Sequence, residues 1–178
     1  MQSVLVSACL LGETVRYNGI DQLFDHDILK RWIHEGRVVS TCPEVAGGLP
    51  VPRPPAEITN GSGGLKVFAG MAKVVDAHGH DLSTEFTRGA ERVLELARER
   101  GIQVAILKEG SPSCGTSFIY DGTFSGKRVS NLGVTAALLQ QAGIHVFSEV
   151  QFAEANDLIM RLEAEKAIQG VSGRSPMF

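Results

Sequence analysis

The sequence has little of what would mark a chain for a membrane, an export route or a nucleic acid. None of its 178 residues fall in an apolar run near the roughly 18 residues a spanning helix needs. The amino terminus, "MQSVLVSACLLGE", has no basic stretch ahead of its short apolar run. No signal peptide is read there, and a cytoplasmic location is expected. Neither sign of charge dominates: 17 Lys and Arg face 20 Asp and Glu, a net charge of −3. That balance lacks the broad positive field a phosphate backbone demands, which argues against long nucleic acid but leaves a single nucleobase open. Repeats, low-complexity tracts and linkers are absent. Cysteine is scarce as well, and three residues make an odd count that suits no closed disulfide framework.

What is present is an ordinary globular composition, 43% hydrophobic, on a chain long enough to bury one core without staples. Strand and helix patterns alternate along it. Ser3–Ala8 and Val38–Thr41 are short apolar strands, and between them "DILKRWIHE" (Asp27–Glu35) has helical spacing. Prolines at 50, 52, 54 and 55 stiffen Leu49–Pro55 into an extended loop. "LKVFAG" and "MAKVVDAHG" read as strand-like, and Thr84–Arg100 as a long amphipathic helix closed by Gly101. Val104–Lys108 is another strand, and "FIYDGTF" a short strand and a turn. "GVTAALLQQAG" is a helix, "IHVFSE" the last strand, and "FAEANDLIMRLEAEKAI" the last amphipathic helix. Such alternation predicts an α/β, single-domain Rossmann-like fold, with a mainly parallel sheet, helices on both faces and a C-terminal amphipathic helix. Residues 1–150 form the expected α/β catalytic domain, and 151–178 a helix and tail packed on the same domain.

That architecture gives the cysteines a meaning. In open parallel sheets, sites collect at the carboxyl ends of the strands. Cys9, Cys42 and Cys114 each stand just past the end of an expected strand, so residues far apart in sequence converge on one edge. One use of such a thiol is as a phosphatase-like nucleophile, but that loop separates cysteine from arginine by about five residues, so that amides and guanidinium surround one phosphate. Here six residues separate Cys9 from Arg16, and one of them is the acidic Glu13. A cysteine–histidine pair is a second use. None of His26, His34, His78, His80 or His145 is placed to activate a thiol, and His145 opens its strand at the opposite edge. Three thiolates with no fourth suit a metal centre with one open position, either zinc or an iron–sulfur cluster.

Polar residues surround each thiol. "CPEVAGG" sets Glu44 two residues from Cys42, where an acid–base group would be useful. "SPSCG" offers the hydroxyls of Ser111 and Ser113 beside Cys114, and Arg16, Tyr17 and Asn18 are candidates to line the same edge and bind a substrate. The plainer reading is turn chemistry and a solvated loop.

The blocks "CLLG…VRYNG", "CPEVAGGLPVPRPPAEI", "ILKEGSPSCG", "YDGTF" and "GVTAALL…GI…VFSE" span about residues 4 to 149. Together they resemble a bacterial family, long listed as a domain of unknown function, that includes thiouracil desulfidase. The resemblance implies a 4Fe–4S cluster on three cysteines, matching Cys9, Cys42 and Cys114, with Glu44 and Ser111 assisting desulfuration. It implies a small thiolated nucleobase as partner, converted without net redox change to the oxo base and hydrogen sulfide. Two positions depart from the family pattern: Asn18 stands where aspartate is usual, and Gly110 where a larger basic residue is common. A non-catalytic iron–sulfur or zinc sensor is the rival reading.

Overall fold

The computed structural model describes residues 1–172. Its elements in chain order are β1 (Val4–Ser7), α1 (Asp27–His34), β2 (Val38–Thr41), α2 (Pro43–Ala46), β3 (Ala56–Ile58), α3 (Gly64–Phe68) and β4 (Val74–Asp76). They continue with α4 (Ser83–Glu99), β5 (Val104–Leu107), β6 (Ile119–Tyr120), β7 (Arg128–Val129), α5 (Val134–Gln141), β8 (His145–Ser148) and α6 (Phe152–Ser172). The central sheet has the order β2-β1-β5-β8, with every pairing parallel. The small ribbons β3–β4 and β6–β7 are antiparallel.

The two inner strands are buried at every position, and apolar at all but Ser7, because both of their faces are covered. Along β1, Val4 and Val6 pack in a core with Trp32 of α1 and with Phe152, Ala155 and Ile159 of α6. Leu5 points the other way, into a core with Val93 and Ala97 of α4 and Ala136 and Leu139 of α5. Strand β5 repeats the alternation, with Val104 and Ile106 on the first face and Ala105 and Leu107 on the second. Helices therefore lie on both faces of the sheet. The expected tail at 173–178 lies outside the described residues.

Besides the short helix α2 and strand β7, which the sequence pattern did not show, two segments differ from it. "LKVFAG" is not a strand: Gly64–Phe68 is the helix α3. Its β-favouring Val and Phe are outweighed by a close approach, since a Cβ on Gly64 would stand 2.4 Å from the Gly133 carbonyl oxygen. Only glycine lets this turn press on the start of α5. The second is β3, which hides in the proline-bounded "PPAEI" and exists because β4 pairs with it.

Helix α2 is held just as closely. A Cβ on Gly47 would lie 2.0 Å from the Glu85 carbonyl oxygen, and one on Gly89 would lie 2.0 Å from that of Pro43. Backbone thus meets backbone between α2 and α4, and this contact fixes the segment that begins at Cys42.

Candidate functional site

All four parallel strands point their carboxyl ends at one cavity of about 890 Å³. Ser7, Thr41, Lys108 and Ser148, at or just past the ends of β1, β2, β5 and β8, all line it. The chain runs from β1 to β2 on one side and later from β5 to β8 on the other. The cavity therefore lies at the switch between β1 and β5, where open α/β sheets form their clefts.

Each thiol reaches the cavity by its own local device. Cys9 sits in a 3₁₀ turn, Ala8–Leu11, that follows β1 and stops at Gly12 with φ +89°. Cys42 has extended backbone and precedes Pro43 at the first position of α2. Cys114 follows β5 in a turn closed by Ser111, whose Oγ accepts the N–H groups of Ser113 (3.0 Å) and Cys114 (3.1 Å). The Ser7 hydroxyl donates to Cys114 Sγ at 3.7 Å and accepts the Lys108 N–H. Cys9, Cys42 and Cys114 all line the cavity and are free thiols. Burial, with the neighbouring Cys42 adding to it, pushes the Cys9 thiol up to about 11. Burial also raises Cys42 and, more strongly, Cys114. A thiol so raised is a poor nucleophile at neutral pH. A soft cation in the cavity would reverse the balance, because ligation draws the proton off.

Beside Cys42 and Cys114 runs a hydrogen-bonded chain. Glu44 Oε1 accepts the Ser111 hydroxyl at 3.2 Å, and Oε2 accepts Arg53 Nε at 2.8 Å and Nη2 at 2.5 Å. Arg53 is 5% exposed, and it also donates to the carbonyls of Pro50 (3.0 Å) and Val15 (3.2 Å). One guanidinium thereby ties the loops after β1 and before β3 to the glutamate and leaves Oε1 facing Ser111. Such charge-assisted forks are the stronger class of hydrogen bond.

The remaining expected residues divide. Arg16 and Tyr17 line the cavity, with the guanidinium 5.8 Å from the Tyr17 ring centre and donating to Gln22. Asn18 and Ser113 are not brought to it. Asn18 Oδ1 closes a local turn by accepting the Ile20 N–H. Ser113 is 1% exposed, and its hydroxyl pairs with that of Thr135 in the interior at 2.8 Å. The departure at Gly110 has a steric basis, since its φ is +78° and a Cβ would meet Phe118 at 3.0 Å.

Several cavity residues escaped the sequence reading. Arg53 carried a faint signal, a lone cation bracketed by prolines in "VPRPP". Lys108 and Glu149 form an ion pair on the wall, with Glu149 Oε2 also accepting the Glu109 N–H at 2.8 Å. Glu109 is the hub of its loop and accepts from the backbone of Thr116, Ser117 and Phe118 and from two hydroxyls. Burial alone would raise its carboxyl, but those bonds overcome it and hold the group down at about 2. Among the described residues no helix is long and apolar enough to cross a membrane.

The model of the family described as 2-thiouracil desulfurase matches residues 4–151, which takes in every strand of the sheet and every thiol. The chain belongs to the 2-thiouracil desulfurase family. One relative of this chain is the uncharacterized protein YbbK of Bacillus subtilis (strain 168), 46% identical over 156 residues, 88% of this chain and 99% of that protein. Among solved structures, the 4Fe–4S-dependent thiouracil desulfidase TudS superposes with a TM-score of 0.81 at 46% identity, covering 91% of this chain and 99% of that one.

Proposed function

We propose that this member of the 2-thiouracil desulfurase family is an iron–sulfur-dependent desulfidase acting on a thiolated nucleobase such as thiouracil. The reaction is a hydrolysis: water replaces sulfur at the thiocarbonyl carbon, giving the oxo base and hydrogen sulfide with no electron gained or lost. The observation that carries this reading is one cavity lined both by all three thiols of the chain and by the hydrogen-bonded pair Glu44 and Ser111.

The donor set suits the cluster that TudS is described as needing. Its atoms are three soft sulfurs, with no fourth cysteine in the chain and, among the described residues, no imidazole on the cavity wall. Among the described residues no group of three His, Cys, Asp or Glu is gathered to hold a metal ion. Cys9, Cys42 and Cys114 are assigned as the cluster's ligands. When bound, a 4Fe–4S cluster on three thiolates supplies a Lewis-acidic iron with an open position for soft sulfur.

The chain's own residues do the rest. Arg53 keeps the Glu44 carboxylate turned so that Oε1 faces the cavity beside Ser111. Glu44 takes one proton of the attacking water and passes it to sulfur. It then takes the second from the new hydroxyl as the C–S bond breaks and passes it on too, so that sulfur leaves as hydrogen sulfide. The Ser111 hydroxyl orients that exchange. Arg16 and Tyr17 close the substrate side of the cavity. Residues 1–150 carry all of these groups. Three free thiols suit the reducing conditions of a cytoplasm.

The test is anaerobic reconstitution followed by incubation with thiouracil. The expected result is about four irons per chain, with loss of thiouracil absorbance matched by sulfide release. A chain that takes up metal and changes shape without turnover would be the rival, a metal sensor.

A further inference from the structure

The loop joining β6 to β7 forms part of the cavity wall, and it holds one residue in a conformation its side chain disfavours. Phe124 has φ +57°, the left-handed region, where a bulky residue crowds its own backbone and persists only under outside constraint. The constraint is built from three neighbours. Glu57 is 8% exposed, and its Oε2 accepts the N–H groups of Gly122 at 2.8 Å and Phe124 at 3.1 Å. Asp121 Oδ1 accepts both the N–H and the hydroxyl of Thr123. At Gly122 a Cβ would stand 2.6 Å from the Ile58 carbonyl oxygen, so the loop is pressed onto the end of β3.

The outcome is a phenyl ring kept out of the core, 38% exposed, on the wall of the cavity that also holds the thiols. The other rings there are already engaged. The Phe118 ring has the Arg128 guanidinium 4.4 Å from its centre and Tyr120 packed edge-on against it, and Tyr17 lies beneath Arg16. Among the described residues Phe124 is the cavity-lining aromatic with neither a ring nor a cation against it.

We infer that Phe124 is the platform on which the planar ring of the thiolated base stacks, and that Glu57 is the positioning residue that keeps it there. The inference rests on the desulfidase reading. A heteroaromatic ring offers its face to an aromatic side chain and leaves its edge free. Stacked on Phe124, a thiolated base can therefore turn its sulfur toward Cys9, Cys42 and Cys114 while its face is held. Stacking tolerates any base with a π-face, so this platform sets affinity for planar thiocarbonyl compounds over non-planar ones.

The experiment compares anaerobically reconstituted parent, Phe124→Gly, Phe124→Tyr and Glu57→Gln. It measures 2-thiouracil turnover, uracil affinity by titration calorimetry, iron content and thermal midpoint. Glycine relieves the left-handed backbone and removes the ring, so Phe124→Gly should keep its iron and a midpoint no lower than the parent's. Its KM for thiouracil and its Kd for uracil should rise about 5–150-fold, the usual worth of stacking one base, with kcat changed by less than about two-fold. Phe124→Tyr should restore the parent values, and Glu57→Gln should move both constants in the direction of Phe124→Gly. Constants for Phe124→Gly within about two-fold of the parent's would overturn the inference, as would a loss of iron and fold in that variant. A loaded parent that neither turns over thiouracil nor binds uracil would instead overturn the desulfidase reading beneath it.

Discussion

Replacing Glu109 by Gln should weaken the loop that carries Ser111 and Cys114, and weaken it less in acid. The parent carboxylate accepts the N–H groups of Thr116 (2.9 Å), Ser117 (3.1 Å) and Phe118 (3.3 Å) and the hydroxyls of Thr116 (2.7 Å) and Ser117 (2.9 Å). Those bonds hold the group at about 2 against an ordinary 4.5. A difference of about 2.5 units is worth about 3.4 kcal/mol at about 1.36 kcal/mol per unit. Because the carboxylate is only half-buried, water screens part of that, and about 2 kcal/mol is the expected contribution at neutral pH. Glutamine keeps one acceptor but sets an NH₂ donor among the same donors, so most of the contribution is lost.

The sign of the pH dependence follows from the direction of the shift. The folded state prefers the ionised form, so the contribution is complete above the ordinary carboxylate range, shrinks as pH falls below about 4.5 and vanishes below about 2. By the same relation about 40% of it survives at pH 3. Thermal midpoints of metal-free parent and Glu109→Gln, taken at pH 7, 4 and 3, are the assay. For a chain of this size about 2 kcal/mol corresponds to a deficit of about 4–8 °C at pH 7. Other depressed carboxylates, among them Asp76, Asp81 and Asp121, titrate in both proteins and cancel in the difference. A variant within about 1 °C of the parent at pH 7 refutes the hub argument, and so does a deficit that is equal at pH 7 and pH 3.

The other predictions concern the site directly. Glu44→Gln keeps the size of the side chain but cannot exchange a proton, so thiouracil turnover should fall about 10²–10⁴-fold with iron per chain unchanged; near-parental turnover with full iron would remove Glu44 from the mechanism. Serine at Cys9, Cys42 or Cys114 should each lower iron content, because a hard oxygen poorly replaces a soft thiolate. A variant that keeps both iron and activity demotes that cysteine to a core residue. Gly89→Ala drives a methyl against the Pro43 carbonyl oxygen, 2.0 Å away, and should cost at least about 1–3 kcal/mol by forcing α2 from α4. Thermal midpoint and iron content of that variant should fall together, since Cys42 immediately precedes α2 and Glu44 lies within it; retained iron at a lowered midpoint would separate the two.

How much of this was legible in the sequence depended on whether a residue's role is set by topology or by the turn around it. Ser3–Ala8, Val38–Thr41 and Val104–Lys108 read as short strands, and in a parallel sheet their carboxyl ends placed the three cysteines on one edge before any coordinates. No periodicity marks Arg53 and Glu109, which act from loops, or Glu57, which acts from the short strand β3 on a partner 67 positions away in Phe124. The "SPSCG" turn shows the distinction within four residues. Ser111 and Ser113 look equivalent as candidates. Ser111 Oγ accepts the N–H groups of Ser113 and Cys114 and donates to Glu44, which puts its hydroxyl in the cavity and closes the turn. That closure sends the next serine inward to Thr135, where helix α5 begins against the same loop through the bonds from Val134 and Thr135 to Pro112 and Ser113. Adjacency to Cys114 made both serines candidates, but only the hydrogen bonds of the turn decided which hydroxyl lines the cavity.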